Sequence, residues 1–224
     1  MDSQFWTKAW NEGRTSFHQE DYHDKLTEYF PQLNPQKGQR VLVPLCGKSK
    51  DLLWLHGLNL HVHGIELHDQ AVESFFAENA LSPLKKTQDQ DFTHYTYENI
   101  VISCGDFFRL NENDTYDFIY DRASLVALPV SMRKGYARVI SQSLKKGGKY
   151  LLIVYEYDQS KLDGPPFSVD ANKIHELYEV QFTIKLMESK QPTREGPRLS
   201  SLDELKQEVY ILEKTHDCAG HPSY

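Results

Sequence analysis

Two short, uninterrupted apolar runs constrain this chain most: Val41-Leu42-Val43-Pro44-Leu45, just after Arg40, and Tyr150-Leu151-Leu152-Ile153-Val154-Tyr155. A strand with one wet face alternates apolar and polar residues, whereas a strand apolar at every position is buried on both faces. Such strands belong to parallel sheets covered by helices. The intervening sequence follows suit. Segments 61–66, 100–104 and 116–120 read as further strands, and segments 48–55 and 70–79 as helices carrying Leu52, Leu53, Leu55 and Val72, Phe75, Phe76. The best helical period spans 131–144, where Met132, Tyr136, Val139, Ile140 and Leu144 share a face, and Gly147-Gly148 is expected to stop it. After Gly164-Pro165-Pro166 come a short helix at 171–178 and two strands near 180–187 and 205–212. Residues 81–98 read as a polar, irregular excursion. Before residue 40 the chain reads as helical pieces, with Trp6 and Trp10 one turn apart and Pro31, Pro35 and Gly38 as breakers. The pattern predicts an α/β fold, Rossmann-like and doubly wound. Its sheet is mostly parallel and seven-stranded, with helices on both faces and an N-terminal helical cover. At 224 residues a single domain is expected, with a cover at 1–35, a core at 36–214 and a tail at 215–224.

Charge and composition remove whole classes of function. Lys and Arg total 25 against 32 Asp and Glu, a net charge of −7, and no block of five like charges supplies a basic tail. A nucleic-acid partner is therefore not expected, because phosphate binding needs a basic face. The mean hydropathy is −0.60, and no run approaches the ~18 apolar residues of a membrane span. The first ten residues lack the basic start and apolar core of a secretory leader. Cys46, Cys104 and Cys218 are odd in number and widely spaced, which supports neither a disulfide framework nor a cysteine metal site. The tail from His216 to His221 reads as a frayed end rather than a metal site. A cytoplasmic protein without metal or membrane partner is expected, a monomer by default.

In an open parallel sheet, ligands bind beyond the carboxyl ends of the strands. After the first strand comes Leu45-Cys46-Gly47-Lys48-Ser49-Lys50-Asp51, a turn with one glycine. It matches neither GxGxxG nor GxxxxGK[ST], so nothing here cradles a pyrophosphate or a nucleotide tail. Glu66 ends the second strand 19 residues past Gly47. An acid at that distance accepts hydrogen bonds from ribose hydroxyls, or else is a solvated strand-end carboxylate. Gly105-Asp106-Phe107-Phe108 offers an acid and an aromatic suited to adenine, or a turn Asp and a core Phe. Arg122 ends the fourth strand beside Asp121, either as a ligand contact or in an ion pair with that neighbour. Nucleoside recognition without a pyrophosphate cradle points to S-adenosylmethionine rather than NAD.

At these residues the chain resembles the thiopurine S-methyltransferase family over nearly its whole length. The stretches that carry the resemblance are Phe5-Trp6 with Trp10, Phe17-His18-Gln19, Val43-Pro44-Leu45-Cys46-Gly47-Lys48, Gly64-Ile65-Glu66, Tyr120-Asp121-Arg122-Ala123-Ser124-Leu125-Val126-Ala127-Leu128, and Gly164-Pro165-Pro166-Phe167. Pro-Leu-Cys-Gly-Lys stands where most methyltransferases carry Asp-x-Gly-x-Gly. The resemblance implies a Rossmann-like methyltransferase that uses S-adenosyl-L-methionine and releases S-adenosyl-L-homocysteine. It implies that Trp6 and Trp10 close over the cofactor, Leu45 lies in the turn against it, Glu66 holds the ribose, and Asp106 and Phe107 flank the adenine. Arg122 would sit between cofactor and acceptor, and Phe17 would form part of the acceptor pocket. A basic residue of the 190–198 loop, Arg194 or Arg198, would also face the acceptor.

Methyl transfer from a sulfonium is an in-line displacement that destroys charge, so a dry, well-positioned pocket favours it. A thiol titrates near about 8.5 and needs no strong general base; Arg122, always protonated, would stabilise the acceptor anion. His18 reads more readily as a structural partner than as a base. The expected acceptor is a thiopurine or another aromatic or heterocyclic thiol. A small soft acceptor (a selenium or tellurium species, thiocyanate or a halide) is the alternative. An NAD(P)-dependent oxidoreductase and a non-catalytic nucleoside-binding protein are more remote.

Overall fold

Among the described residues nine strands form, where the sequence pattern predicts seven. The computed structural model describes residues 8, 12, 19–83, 85–111, 114–192 and 198–216, and these divide into two compact units. The first comprises the described residues up to 109 together with 198, the second those of 110–192 and 199–216.

In the first unit the strand order is β3-β4-β5-β2-β1. Strands β1 (Arg40–Val43), β2 (His61–Glu66) and β5 (Ile100–Gly105) run parallel. Strands β3 (Lys85–Gln88) and β4 (Phe92–Tyr97) continue antiparallel from β5. Val41, Leu42 and Val43 are buried as their uninterrupted apolar run requires. Helix α1 (Asp24–Tyr29) is tied down where the buried His23 amide donates to Asp51 Oδ1 at 2.9 Å. Helices α2 (Asp51–Gly57) and α3 (Asp69–Glu78) bury Leu52, Leu55, Val72, Phe75 and Phe76. Gly64 is required here. A Cβ on it would stand 2.7 Å from Cys46 Sγ and 3.2 Å from Leu52 Cδ2, so any side chain would push away the turn after β1 and helix α2.

The expected irregular excursion at 81–98 is instead the β3–β4 hairpin. Its inner strand is rich in aromatic and β-branched residues, with Phe92 and Tyr95 buried. Its outer strand is Lys85-Lys86-Thr87-Gln88, exposed throughout, an edge with no apolar pattern to read. A polar chain crosses the adjoining strands. His63 Nε2 lies 2.7 Å from Ser103 Oγ, which lies 2.7 Å from His94 Nδ1, and His94 Nε2 lies 2.9 Å from Asp89 Oδ2. That last contact, with the Phe92 and Asp91 amides, holds the Asp89 carboxyl down at about 2.

The second unit has the order β6-β7-β9-β8. Strand β6 (Tyr116–Arg122) is parallel to β7 (Leu144–Glu156), and β9 (Lys206–Lys214) is antiparallel to both β7 and β8 (Phe182–Lys190). Helix α5 (Ala171–Tyr178) falls on the expected residues, N-capped by Asp170, whose carboxylate accepts from the Lys173 amide at 2.7 Å. Helix α4 (Val130–Ser143) buries Tyr136, Ala137, Val139 and Ile140 as its period predicts. It does not run on to the glycine pair; Gly147, at φ 75°, and Gly148 lie inside the long β7. The stop is made from far along the chain. The buried Lys214 ammonium donates to the carbonyls of Ser141 and Leu144, each at 2.7 Å, and sets a positive charge at the negative end of the helix.

Replacing Lys214 by Met keeps the aliphatic stem and removes this cap. Hydrogen bonds to a charged group contribute about 1.5–3 kcal/mol, so urea unfolding of Lys214→Met should show a loss of about 2 kcal/mol. A stability equal to that of the parent would show that the ammonium is not what ends α4.

Candidate active site

In the first unit the ends of β1, β2 and β5 converge on three short turns. After β1 the backbone enters the left-handed region at Leu45 (φ 45°) and again at Gly47 (φ 55°), while the Cys46 amide donates to the Ile65 carbonyl at 2.9 Å. A left-handed leucine costs about 1–2 kcal/mol. Such strain survives where the surroundings over-determine it, most often at ligand sites.

What over-determines this turn is Glu66. Its side chain is buried, and its Oε2 accepts from the Gly47 amide at 2.8 Å. Its Oε1 accepts from the amides of Leu67 at 2.8 Å and His68 at 3.0 Å. Among the described residues no cation pairs with it. Burial pushes its carboxyl above the ordinary glutamate range, and the three amides pull it partly back. A carboxylate has about four acceptor directions, so one remains for a hydroxyl donor. Glu66 is thus not the solvated strand-end acid that the sequence also allowed.

Asp106 is exposed and caps the single 3-10 turn Phe107–Arg109; its Oδ1 accepts from the Phe108 amide at 3.0 Å. Phe107 is buried in the core. Phe108, edge-on to it at 6.0 Å, is the half-buried ring of the pair, a distinction that two adjacent phenylalanines do not reveal in sequence. A second feature missed from sequence is His68, whose buried Nε2 has no hydrogen-bond partner among the described residues and whose burial lowers its pKa. Two thiols, Cys46 and Cys104, lie near this carboxylate. Burial raises both, with the Glu66 charge adding at Cys46, and Cys104 stands at about 12.

In the second unit, β6 ends in Asp121-Arg122. Asp121 is fully buried. Its Oδ1 accepts from the amides of Ser124 (3.0 Å) and Leu125 (3.3 Å), and its Oδ2 from the hydroxyls of Tyr136 (2.7 Å) and Tyr150 (2.8 Å). The ion pair with Arg122 that the sequence left open does not form among the described residues. The chain then reverses through Ala123 at φ 68°. The Gly164–Phe167 loop docks on the same segment, with the Phe167 amide donating to the Val126 carbonyl at 2.6 Å and the Tyr157 hydroxyl to the Pro166 carbonyl. Gly164 is at φ 72°, and a Cβ there would fall 2.4 Å from the Phe167 ring. Trp6, Trp10, Phe17, His18 and Arg194 lie outside the described residues. Arg198 is exposed in the turn at 198–201.

A profile of the family described as Thiopurine S-methyltransferase (TPMT) matches residues 1–215. The chain belongs to this family. A thiopurine S-methyltransferase of Photobacterium profundum is 39% identical over 214 residues, covering 95% of this chain and 99% of that protein. One of Azotobacter vinelandii is 40% identical over 218 residues, covering 96% and 100%. One of Bordetella parapertussis is 42% identical over 221 residues, covering 96% and 99%. Among solved structures, the 1,6-didemethyltoxoflavin-N1-methyltransferase of Burkholderia thailandensis superimposes with a TM-score of 0.66 at 16% identity, over 95% of this chain and 87% of that one. A TehB-like SAM-dependent methyltransferase of Corynebacterium glutamicum does so with a TM-score of 0.58 at 14% identity, over 95% and 96%. At these identities the likeness concerns the fold, and it agrees with the Rossmann-like expectation. Family membership makes the chain an S-adenosylmethionine-dependent S-methyltransferase.

The environment of Glu66 has a measurable consequence. Its carboxyl binds a proton more tightly in the folded than in the unfolded chain, so its contribution to stability is greatest below the unfolded pKa. That contribution is lost as pH rises toward the folded value. Asp121 shifts in the same direction but cancels when the parent is compared with Glu66→Gln. The unfolding free energy of the parent relative to Glu66→Gln should therefore fall as pH rises from about 4 to neutrality. A difference that grows over that range would contradict the environment described for Glu66.

Proposed function

We propose that the chain moves the methyl group of S-adenosylmethionine to the sulfur of a thiopurine or another aromatic or heterocyclic thiol. The observation that carries the cofactor half is Glu66, a buried strand-end carboxylate with an acceptor direction to spare, beside a one-glycine turn that has no pyrophosphate cradle. In this reading Glu66 accepts from the ribose, and the turn at Leu45 lies along the cofactor. Asp106 takes the adenine amino group, with the Phe107-Phe108 pair against its face. Trp6 and Trp10 cover the cofactor. Phe17 and one of Arg194 or Arg198 line the acceptor pocket.

Bound S-adenosylmethionine supplies an electrophilic methyl on a cationic sulfur. The protein's part is to exclude water, align acceptor sulfur with that methyl and hold the acceptor as its anion. Arg122 is suited to the last task, because a guanidinium offers a planar cationic fork of donors and no carboxylate among the described residues neutralises it. The acceptor needs no dedicated base, since a free thiol is already partly ionised near neutral pH.

The test is an acceptor panel on the parent and on Arg122→Ala, with 6-mercaptopurine, thiophenol, thiocyanate and selenite. The parent should turn over the two aromatic thiols, and Arg122→Ala should lose at least about tenfold in kcat/KM on them. Turnover confined to the inorganic anions would replace the acceptor class. Parent kinetics in Arg122→Ala would remove Arg122 from the mechanism.

A further inference from the structure

We propose that Asp121 is the positioning residue for Arg122: its buried carboxylate closes the turn that follows β6 and fixes the direction in which the guanidinium is presented. This rests on the role given above to Arg122.

Four groups from three places hold one carboxylate. The amides of Ser124 and Leu125 come from the turn itself, the Tyr136 hydroxyl from α4 and the Tyr150 hydroxyl from β7. Residue 122 sits inside the small ring closed by the two amide contacts. On its N-terminal side β6 is in register with β7, Asp121 opposite Leu152 and Arg122 opposite Ile153. On its C-terminal side the chain must pass through Ala123 at φ 68°, a conformation an L-residue adopts only under constraint. The two tyrosines then tie the carboxylate to a helix and a central strand, both rigid, so the turn is fixed from two directions.

The arrangement is costly as pure architecture. A carboxylate with no exposure and no paired cation loses its hydration, and an apolar side chain there would avoid that loss. A neutral isostere does not reproduce it. Asparagine has one acceptor oxygen for the two amides, and its NH2 would face two phenols that had been donors. What the charged form uniquely does is accept from the turn and from its two anchors at once.

A double-mutant cycle between Asp121→Asn and Arg122→Ala tests this, with kcat and KM measured separately on 6-mercaptopurine, S-adenosylhomocysteine affinity by calorimetry and the unfolding midpoint recorded for every variant. Misplacement by about an ångström can cost about 100-fold. Asp121→Asn should therefore lower kcat/KM about 10- to 100-fold when Arg122 is present, and less than about twofold when residue 122 is alanine. A loss that is the same in both backgrounds, or absent from both, overturns the proposal, because a merely structural role has no reason to depend on Arg122. If Asp121→Asn does not fold, Tyr136→Phe takes its place in the cycle; a smaller loss, again confined to the Arg122 background, is expected, and an additive one overturns the proposal. An Arg122→Ala variant with parent kinetics defeats the role of Arg122 itself. An impaired Arg122→Ala with additive losses defeats only the role of Asp121.

Discussion

A carboxylate buried without a cation is expensive, and each unit of this protein builds into the end of a parallel strand one that has no cation partner among the described residues. Glu66 ends β2 and Asp121 lies one residue from the end of β6, and each accepts backbone amides from a turn that passes through a left-handed residue. Without those acceptors the turns at Leu45 and Ala123 would have no reason to hold a conformation that their side chains oppose. Parallel strands create the opportunity, because their carboxyl ends all point to one rim and leave unpaired amides there. A short acidic side chain is the most compact group that satisfies several such amides together.

The two acids differ in what they have left. Glu66 spends three acceptor directions and keeps one, which suits a ligand hydroxyl. Asp121 spends all four, two on amides and two on phenols, which suits an internal anchor. The same chemistry thus leaves an acceptor direction open in one unit and none in the other. The same burial that makes the Glu66 carboxylate costly also raises the two thiols near it.

Much of this was legible in the chain. Burial on both faces writes itself as continuous apolar runs, so β1 and the 150–155 stretch of β7 are plain, and α4 follows from its period. The spacing from Gly47 singles out Glu66, the acid that the fold buries at the end of β2. What was hidden depended on partners distant in sequence or on faces without an apolar signature. The edge strand Lys85–Gln88 is polar throughout, so its pairing with β4 leaves no pattern. The end of α4 is set by Lys214, 70 residues beyond the Leu144 carbonyl it binds, and the nearby glycines drew attention to the wrong place. Phe107 and Phe108 are the same residue type, yet one is buried and the other half-buried. Asp121 beside Arg122 suggested an ion pair, because nothing local announced that Tyr136 and Tyr150, 15 and 29 residues on, already occupy its oxygens.

A Glu66 turn that receives a nucleoside, as proposed above, makes unfolding depend on the ligand. A native-state ligand at 100-fold over its dissociation constant adds about 2.7 kcal/mol, which for a chain of this size raises the midpoint by about 5–10 °C. S-adenosylhomocysteine should produce that rise in the parent and a much smaller one in Glu66→Ala, with NAD producing none in either. An equal rise in both proteins would show that Glu66 holds no part of the nucleoside, and the account of the site would fail with it.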